Sequence, residues 1–187
     1  MAGSVIERVF GTKYRVLAFF VERPEGAFYV REIAKSLGLA PMTVHRNLVA
    51  LRKGGVLISR EEGGKRFFKM KSSYITRQLR ILTTLDSGLV RDFMKRFPVH
   101  TAEVIALYGS RASGESTEGS DWDFIVIGKL DQLRLNKIIS KIEQKHGCEI
   151  SVKLYPTAAD FKNLERNDPA FYREVLKNHV VLRGALP

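Results

Sequence analysis

The residues best suited to chemistry lie in Leu107-Tyr108-Gly109-Ser110-Arg111-Ala112-Ser113-Gly114 and, a few positions on, Ser120-Asp121-Trp122-Asp123-Phe124-Ile125-Val126. An apolar run leads into Gly109-Ser110, where a short helix is expected to begin. Glycine lets a phosphate approach the backbone closely. Free N–H groups at a helix start attract an anion, and the Ser110 hydroxyl can add a hydrogen bond. Asp121 and Asp123 stand at the head of the next apolar run. Residues two apart in a strand share a face, so their carboxylates converge while Trp122 points away. Converged carboxylates repel each other unless a cation lies between them. Hard oxygen ligands beside a phosphate site suit Mg²⁺. Metal held in this way can activate an attacking oxygen and stabilise a leaving pyrophosphate.

Taken together, Gly109, Ser110, Gly114, Asp121 and Asp123 resemble the pattern of the DNA polymerase β-like nucleotidyltransferase superfamily in its minimal form. The resemblance covers about residues 99–161. It implies transfer of a nucleoside monophosphate from a nucleoside triphosphate to an acceptor hydroxyl. It also implies that Gly109, Ser110 and Gly114 serve the triphosphate and that Asp121 and Asp123 bind Mg²⁺. Ser120 joins the nucleotide-binding set, or else caps a turn with Asp121. Arg111 is open to two readings, a phosphate contact or a solvent-facing arginine. The superfamily carries a third carboxylate on a later strand. In the candidate strand Glu149-Ile150-Ser151-Val152-Lys153-Leu154, the only acid is Glu149. Ser151 stands where an aspartate is sought, so Glu149 is either the third catalytic and metal-binding acid or a strand-edge glutamate.

The elements around this site alternate. Val104–Tyr108, Phe124–Ile127 and Ile150–Tyr155 read as strands, and Leu130 to Ile142 carries helical spacing between the last two. The segment from Asp160 to Val181 reads as packing helices. Ahead of all this, Thr76 to about Phe97 reads as one linker helix, with Leu79, Leu82, Leu85, Leu89, Val90 and Phe93 on one side and Pro98 as its stop.

The first part of the chain has another character. Ser4 to Val21 is read as one helical element ending at Pro24 and Gly26. Val30 to Gly38 reads as a short helix closed by glycine. Leu39-Ala40 forms a turn, and Pro41 suits the start of a second helix with Val44, Leu48 and Leu51 inward. A hairpin from Val56 to Met70 turns at Gly63-Gly64. Residues 5–71 resemble a winged helix-turn-helix. That resemblance implies double-stranded DNA as the partner, with Thr43, His45, Arg46 and Asn47 on bases or phosphates and Arg52, Lys53, Lys65 and Arg66 on phosphates. Charge agrees: residues 1–98 hold 19 Lys and Arg against 8 Asp and Glu, whereas residues 99–187 hold 12 of each, so the whole excess of +11 lies in the first part.

The expected architecture is therefore α+β with two domains. Residues 1–75 form the winged helix-turn-helix, 76–98 a linker helix, and 99–187 a small mixed α/β nucleotidyltransferase fold. The single Cys148 excludes an internal disulfide and makes a reducing cytoplasm the expected setting. No apolar run is long enough to span a bilayer, and Glu7, Arg8 and Lys13 break up any leader-like stretch. Three functions remain open: a DNA-delivered nucleotidyltransferase, a transcription regulator that binds nucleotide without turnover, and an antitoxin-like regulator acting on a toxin-like partner protein. The Val5–Phe20 and Leu79–Phe93 stretches offer apolar faces for a homodimer.

Overall fold

Ser4 opens the first helix, α1 (Val5–Phe10), by accepting the Glu7 N–H through its hydroxyl at 2.7 Å. The computed structural model describes residues 4–97 and 101–187. The single helix expected from Ser4 to Val21 is two, α1 and α2 (Thr12–Glu22), because Gly11 turns the chain at φ +58° and ψ −142°, outside any helix. After β1 (Phe28–Tyr29), the Glu32 carboxylate accepts the Tyr29 N–H at 2.9 Å and starts α3 (Val30–Leu37). This helix closes at Gly38, and α4 (Pro41–Lys53) opens on Pro41, as expected.

Two strands follow, β2 (Leu57–Glu62) and β3 (Lys65–Met70), joined at Gly63-Gly64. In place of a two-stranded wing, β1 also pairs with β3, giving an antiparallel sheet in the order β1-β3-β2. Helix α5 (Tyr74–Leu85) packs on α2. Phe20, Ile33, Val44, Leu48, Leu57 and Phe68 are at most 1% exposed. Each stabilises the unit by about 1.5–3 kcal/mol through burial.

The expected linker helix is also two helices. Asp86 ends α5, and the Ser87 hydroxyl accepts the Val90 N–H at 3.2 Å to begin α6 (Gly88–Arg96). The chain divides here into two compact units, Met1–Asp86 and Ser87–Pro187, so α6 belongs to the second unit and the division precedes the expected boundary. The expected stop at Pro98 lies outside the described residues.

The second unit continues with β4 (Val104–Tyr108), α7 (Gly109–Ser113), β5 (Trp122–Ile127), α8 (Gln132–His146) and β6 (Ile150–Tyr155). Then come α9 (Ala158–Lys162), α10 (Leu164–Asn167), α11 (Pro169–Lys177) and β7 (His179–Arg183). The sheet is mixed, in the order β6-β5-β4-β7. Strands β5 and β6 are parallel across the α8 connection, and β4 runs antiparallel to both β5 and β7. The last segment, read as helices alone, ends in this extra strand; a five-residue His-Val-Val-Leu-Arg run is too short to separate from a helix end by spacing.

One face of the sheet (Val104, Ala106, Tyr108, Ile125, Ile127) packs against Phe161 and Val175. On the other, the Phe124 ring stacks on Phe93 of α6 at 3.9 Å, and α8 contributes the buried Leu135 and Ile142. Among the described residues no helix is long and apolar enough to cross a membrane.

Candidate functional site

Strand β4 delivers the chain into Gly109, and β5 brings Asp123 directly beside Tyr108 in the antiparallel register. Gly109 has φ +71°, and a Cβ built on it would lie 2.8 Å from the nearer Asp123 carboxylate oxygen. Only glycine permits that approach. The turn and the carboxylate therefore form one locus, with Ser110 half-buried on the first turn of α7. The Ser110 carbonyl gathers the following loop by accepting from Glu115 N–H (2.8 Å), Ser116 N–H (3.1 Å) and the Ser113 hydroxyl (3.1 Å). Gly114 ends α7 in the left-handed region and donates its N–H to Ser110, so its visible part is to close the helix.

Arg111 is half-buried and bonded to the protein itself. Its guanidinium donates to the carbonyls of Asp121 (3.0 Å) and Ser120 (2.6 Å) and lies 4.1 Å over the Trp122 ring. It clips α7 to the backbone that presents Asp121. Ser120 is engaged in a turn: its hydroxyl accepts the Thr117 N–H at 2.8 Å.

Asp121 is exposed and Asp123 half-buried. Burial raises the Asp123 carboxyl above the usual aspartate range. The negative charges of Asp121 and Glu174 push the same way, while Arg111 and Lys153 oppose them. Tyr108 is pushed up to about 12, chiefly by burial and then by the charge of Asp123. A carboxyl whose proton affinity is raised by a neighbouring carboxylate is a donor suited to a hard divalent cation.

The expected third acid, Glu149, is not the register partner of Asp123. Asp123 faces Ser151 across the parallel β5–β6 pair. Glu149 lies two residues before Ser151, and its carbonyl accepts the Trp122 N–H at 3.0 Å. Among the described residues no three His, Cys, Asp or Glu side chains are grouped to hold a metal ion. Asp121 and Glu149 share a cleft of about 490 Å³ with Glu143, Cys148, Ile150 and Ser151.

Sequence reasoning missed the row that crosses the sheet at this level. His179, Tyr108, Asp123 and Ser151 are successive register partners on β7, β4, β5 and β6, and directly opposed residues share a face. Glu174 of α11 adds its charge from above, near both Tyr108 and Asp123. Tyr108 was visible next to Gly109, but neighbours across strands depend on register, which the spacing does not carry.

The first unit presents the other expected residues. On α4, His45, Arg46, Arg52 and Lys53 are exposed and Thr43 is half-buried. Asn47 does not face outward: its side-chain amide donates to the Thr12 hydroxyl on α2 at 3.0 Å. The hairpin cations are engaged. Arg66 pairs with Glu61, holding that carboxyl below its usual range, and Arg60 pairs with Glu62 at 3.0 Å. Lys69 pairs with Glu25 at 2.8 Å, and the Lys65 ammonium lies 4.7 Å over the Tyr29 ring.

Residues 92–184 match the family model described as polymerase beta, nucleotidyltransferase. No curated protein matches the sequence. Among solved structures, the chain is similar to a toxin-antitoxin with AMP-PNP at 17% identity, over 52% of this chain and 71% of that one, with a TM-score of 0.38. It is similar to the homodimeric winged helix-turn-helix DNA-binding domain of Mb0332 from Mycobacterium bovis at 19% identity, over 52% and 96%, with a TM-score of 0.36. A tri-AMPylated Shewanella oneidensis HEPN toxin in complex with MNT antitoxin matches at 14% identity, over 58% and 73%, with a TM-score of 0.35. At TM-scores below 0.5 these likenesses carry no argument about function.

Proposed function

We propose that the chain is a Mg²⁺-dependent nucleotidyltransferase coupled to a DNA-binding winged helix-turn-helix. The observation that carries this reading is the Asp123 carboxylate set so close to Gly109, at the start of α7, that a Cβ there would lie 2.8 Å from it, with Asp121 two residues before it.

Asp121 and Asp123 are the residues to hold the cation, which when bound would neutralise triphosphate charge and assist departure of pyrophosphate. The first turn of α7 supplies backbone N–H groups without intrahelical acceptors, and the Ser110 hydroxyl stands at the same turn, a set fit to orient a phosphate. Arg111 keeps the Ser120–Asp121 backbone in place. Tyr108, its proton held firmly, walls one side of Asp123 without competing as an anion. In the first unit, Arg46, Arg52 and Lys53 of α4 present charge to duplex phosphates, with His45 and Thr43 beside them.

A second reading is favoured by Ser151 facing Asp123. With a hydroxyl at the third position, the same site binds nucleotide and cation without turnover, and the chain acts as a DNA-binding or antitoxin-like regulator. In either reading a partner protein can serve as acceptor or target. A homodimer can use the exposed Val5, Val9 and Phe10 of α1, which are 61%, 71% and 62% exposed.

Calorimetric titration of Mg²⁺–ATP and Mg²⁺–CTP into the wild type and an Asp121→Asn, Asp123→Asn double variant tests the site. Binding by the wild type alone is the expected result. Equal binding by both proteins removes these aspartates from the site. Release of pyrophosphate in the presence of an acceptor then separates turnover from sensing.

A further inference from the structure

Helix α8 carries Arg134, Lys137, Lys141 and Lys145, spaced by three, four and four residues. At 100° per residue these fall within about 80° of one another, along about 16 Å of helix. All four are exposed. Lys145 pairs with Asp92, while Arg134, Lys137 and Lys141 have no acidic partner among the described residues. The one acid of the helix, Glu143, points the other way and accepts the Ile150 N–H at 2.9 Å.

The charge of the unit is segregated onto this helix. Residues 87–187 hold 15 basic and 13 acidic side chains, and α8 takes 4 of the former and 1 of the latter. The remainder is 11 against 12. Like charges three and four apart on a helix destabilise it, so the stripe opposes the helix that displays it, and a polyanion lying along it relieves that repulsion.

We propose that the exposed face of α8 is a phosphate-backbone contact for double-stranded DNA, made by the nucleotidyltransferase unit itself and separate from α4. Duplex DNA presents one negative charge per about 1.7 Å of axis, so a straight 16 Å row of cations meets several phosphates along one groove edge. Ser140 and Gln144 flank the stripe with hydroxyl and amide groups able to bond phosphate or sugar oxygens. A bilayer surface fits less well, since it needs a broad exposed apolar side, and of the apolar residues of α8 only Leu133 is exposed, while Leu135 and Ile142 are buried. An acidic protein fits less well too, since the stripe has no exposed aromatic anchor. The contact positions DNA without reading its sequence, and it does not depend on turnover at Asp121 and Asp123.

The test is fluorescence anisotropy of the full chain with a short labelled duplex of arbitrary sequence, over a series of salt concentrations. Wild type is compared with Arg134→Gln/Lys137→Gln/Lys141→Gln, with Lys137→Arg/Lys141→Arg, and with Arg46→Ala/Arg52→Ala. Thermal melts by circular dichroism report that each variant is folded. The triple variant is expected to flatten the slope of log K against log salt by roughly 2.5, as three lost phosphate contacts require, while the Lys→Arg variant keeps the wild-type slope. An unchanged slope in the triple variant overturns the proposal. That outcome is distinct from failure of the α4 assignment, in which Arg46→Ala/Arg52→Ala leaves the slope alone and the triple variant lowers it. Loss of binding only to duplex RNA or to vesicles containing anionic lipid, with the DNA slope intact, also overturns it.

Discussion

The carboxylate site of the second unit and the cationic surface of the first are built on opposite principles. At Asp123 the position of the side chain follows from its surroundings. Strand register sets it beside Tyr108 and Ser151, Gly109 leaves it room, and burial shifts its proton affinity. On α4 and the hairpin, helix face and strand end decide only which cations reach solvent. Whether each is available then depends on a local partner: Arg66 has Glu61, whereas Arg46 and Arg52 have no acid among the described residues. A site made by backbone geometry tolerates almost no change at its hinge points. A surface made by charge changes by increments.

The sharpest way to break that contrast is Gly109→Ala. A methyl group here meets Asp123 and a positive φ at once, so nucleotide binding should fall at least a hundredfold and the unit should lose about 1–3 kcal/mol. Calorimetry and a thermal melt read the two effects, and near-normal Mg²⁺–ATP affinity would show that the close approach is not part of the site. A smaller effect is expected on the first unit. Arg46→Ala with Arg52→Ala should flatten the salt dependence of DNA binding by about 2, whereas Arg66→Ala, already paired, should flatten it by less than one contact; equal slopes per residue remove the distinction between α4 and the hairpin. The smallest change concerns Asn47. Asn47→Ala should cost about 1 kcal/mol of stability through the lost bond to Thr12, leaving the salt slope of DNA binding unchanged. A reduced slope in a protein of normal stability would return Asn47 to the DNA-facing set.

What could be read in the sequence follows the same division. Gly109-Ser110 and Asp121-x-Asp123 were legible because two-residue spacing in a strand is a local fact. The α3–α4 pair and the Gly63-Gly64 hairpin were legible because helix stripes and turn glycines are local too. Tyr108 and Glu174 were not, since they come near Asp123 through strand order and through the placing of α11. The breaks at Gly11 and Ser87 were hidden for a different reason: the apolar spacing on either side continues across each of them, and a single backbone rotation or capping hydroxyl ends the helix. Asn47 and Arg66 show the limit for polar residues. Their types suit DNA, and the sequence does not reveal that each also bonds within its own unit, Asn47 to Thr12 and Arg66 to Glu61.

The Arg111 clip bears on how quickly the carboxylate site can be used. Because the guanidinium spans the Ser120 and Asp121 carbonyls and rests on Trp122, the loop ahead of β5 is tethered at its far end before any ligand arrives. The conformational entropy of that segment is thus surrendered during folding, not on encounter. For the nucleotide proposed as ligand, that leaves less loop ordering to complete on binding.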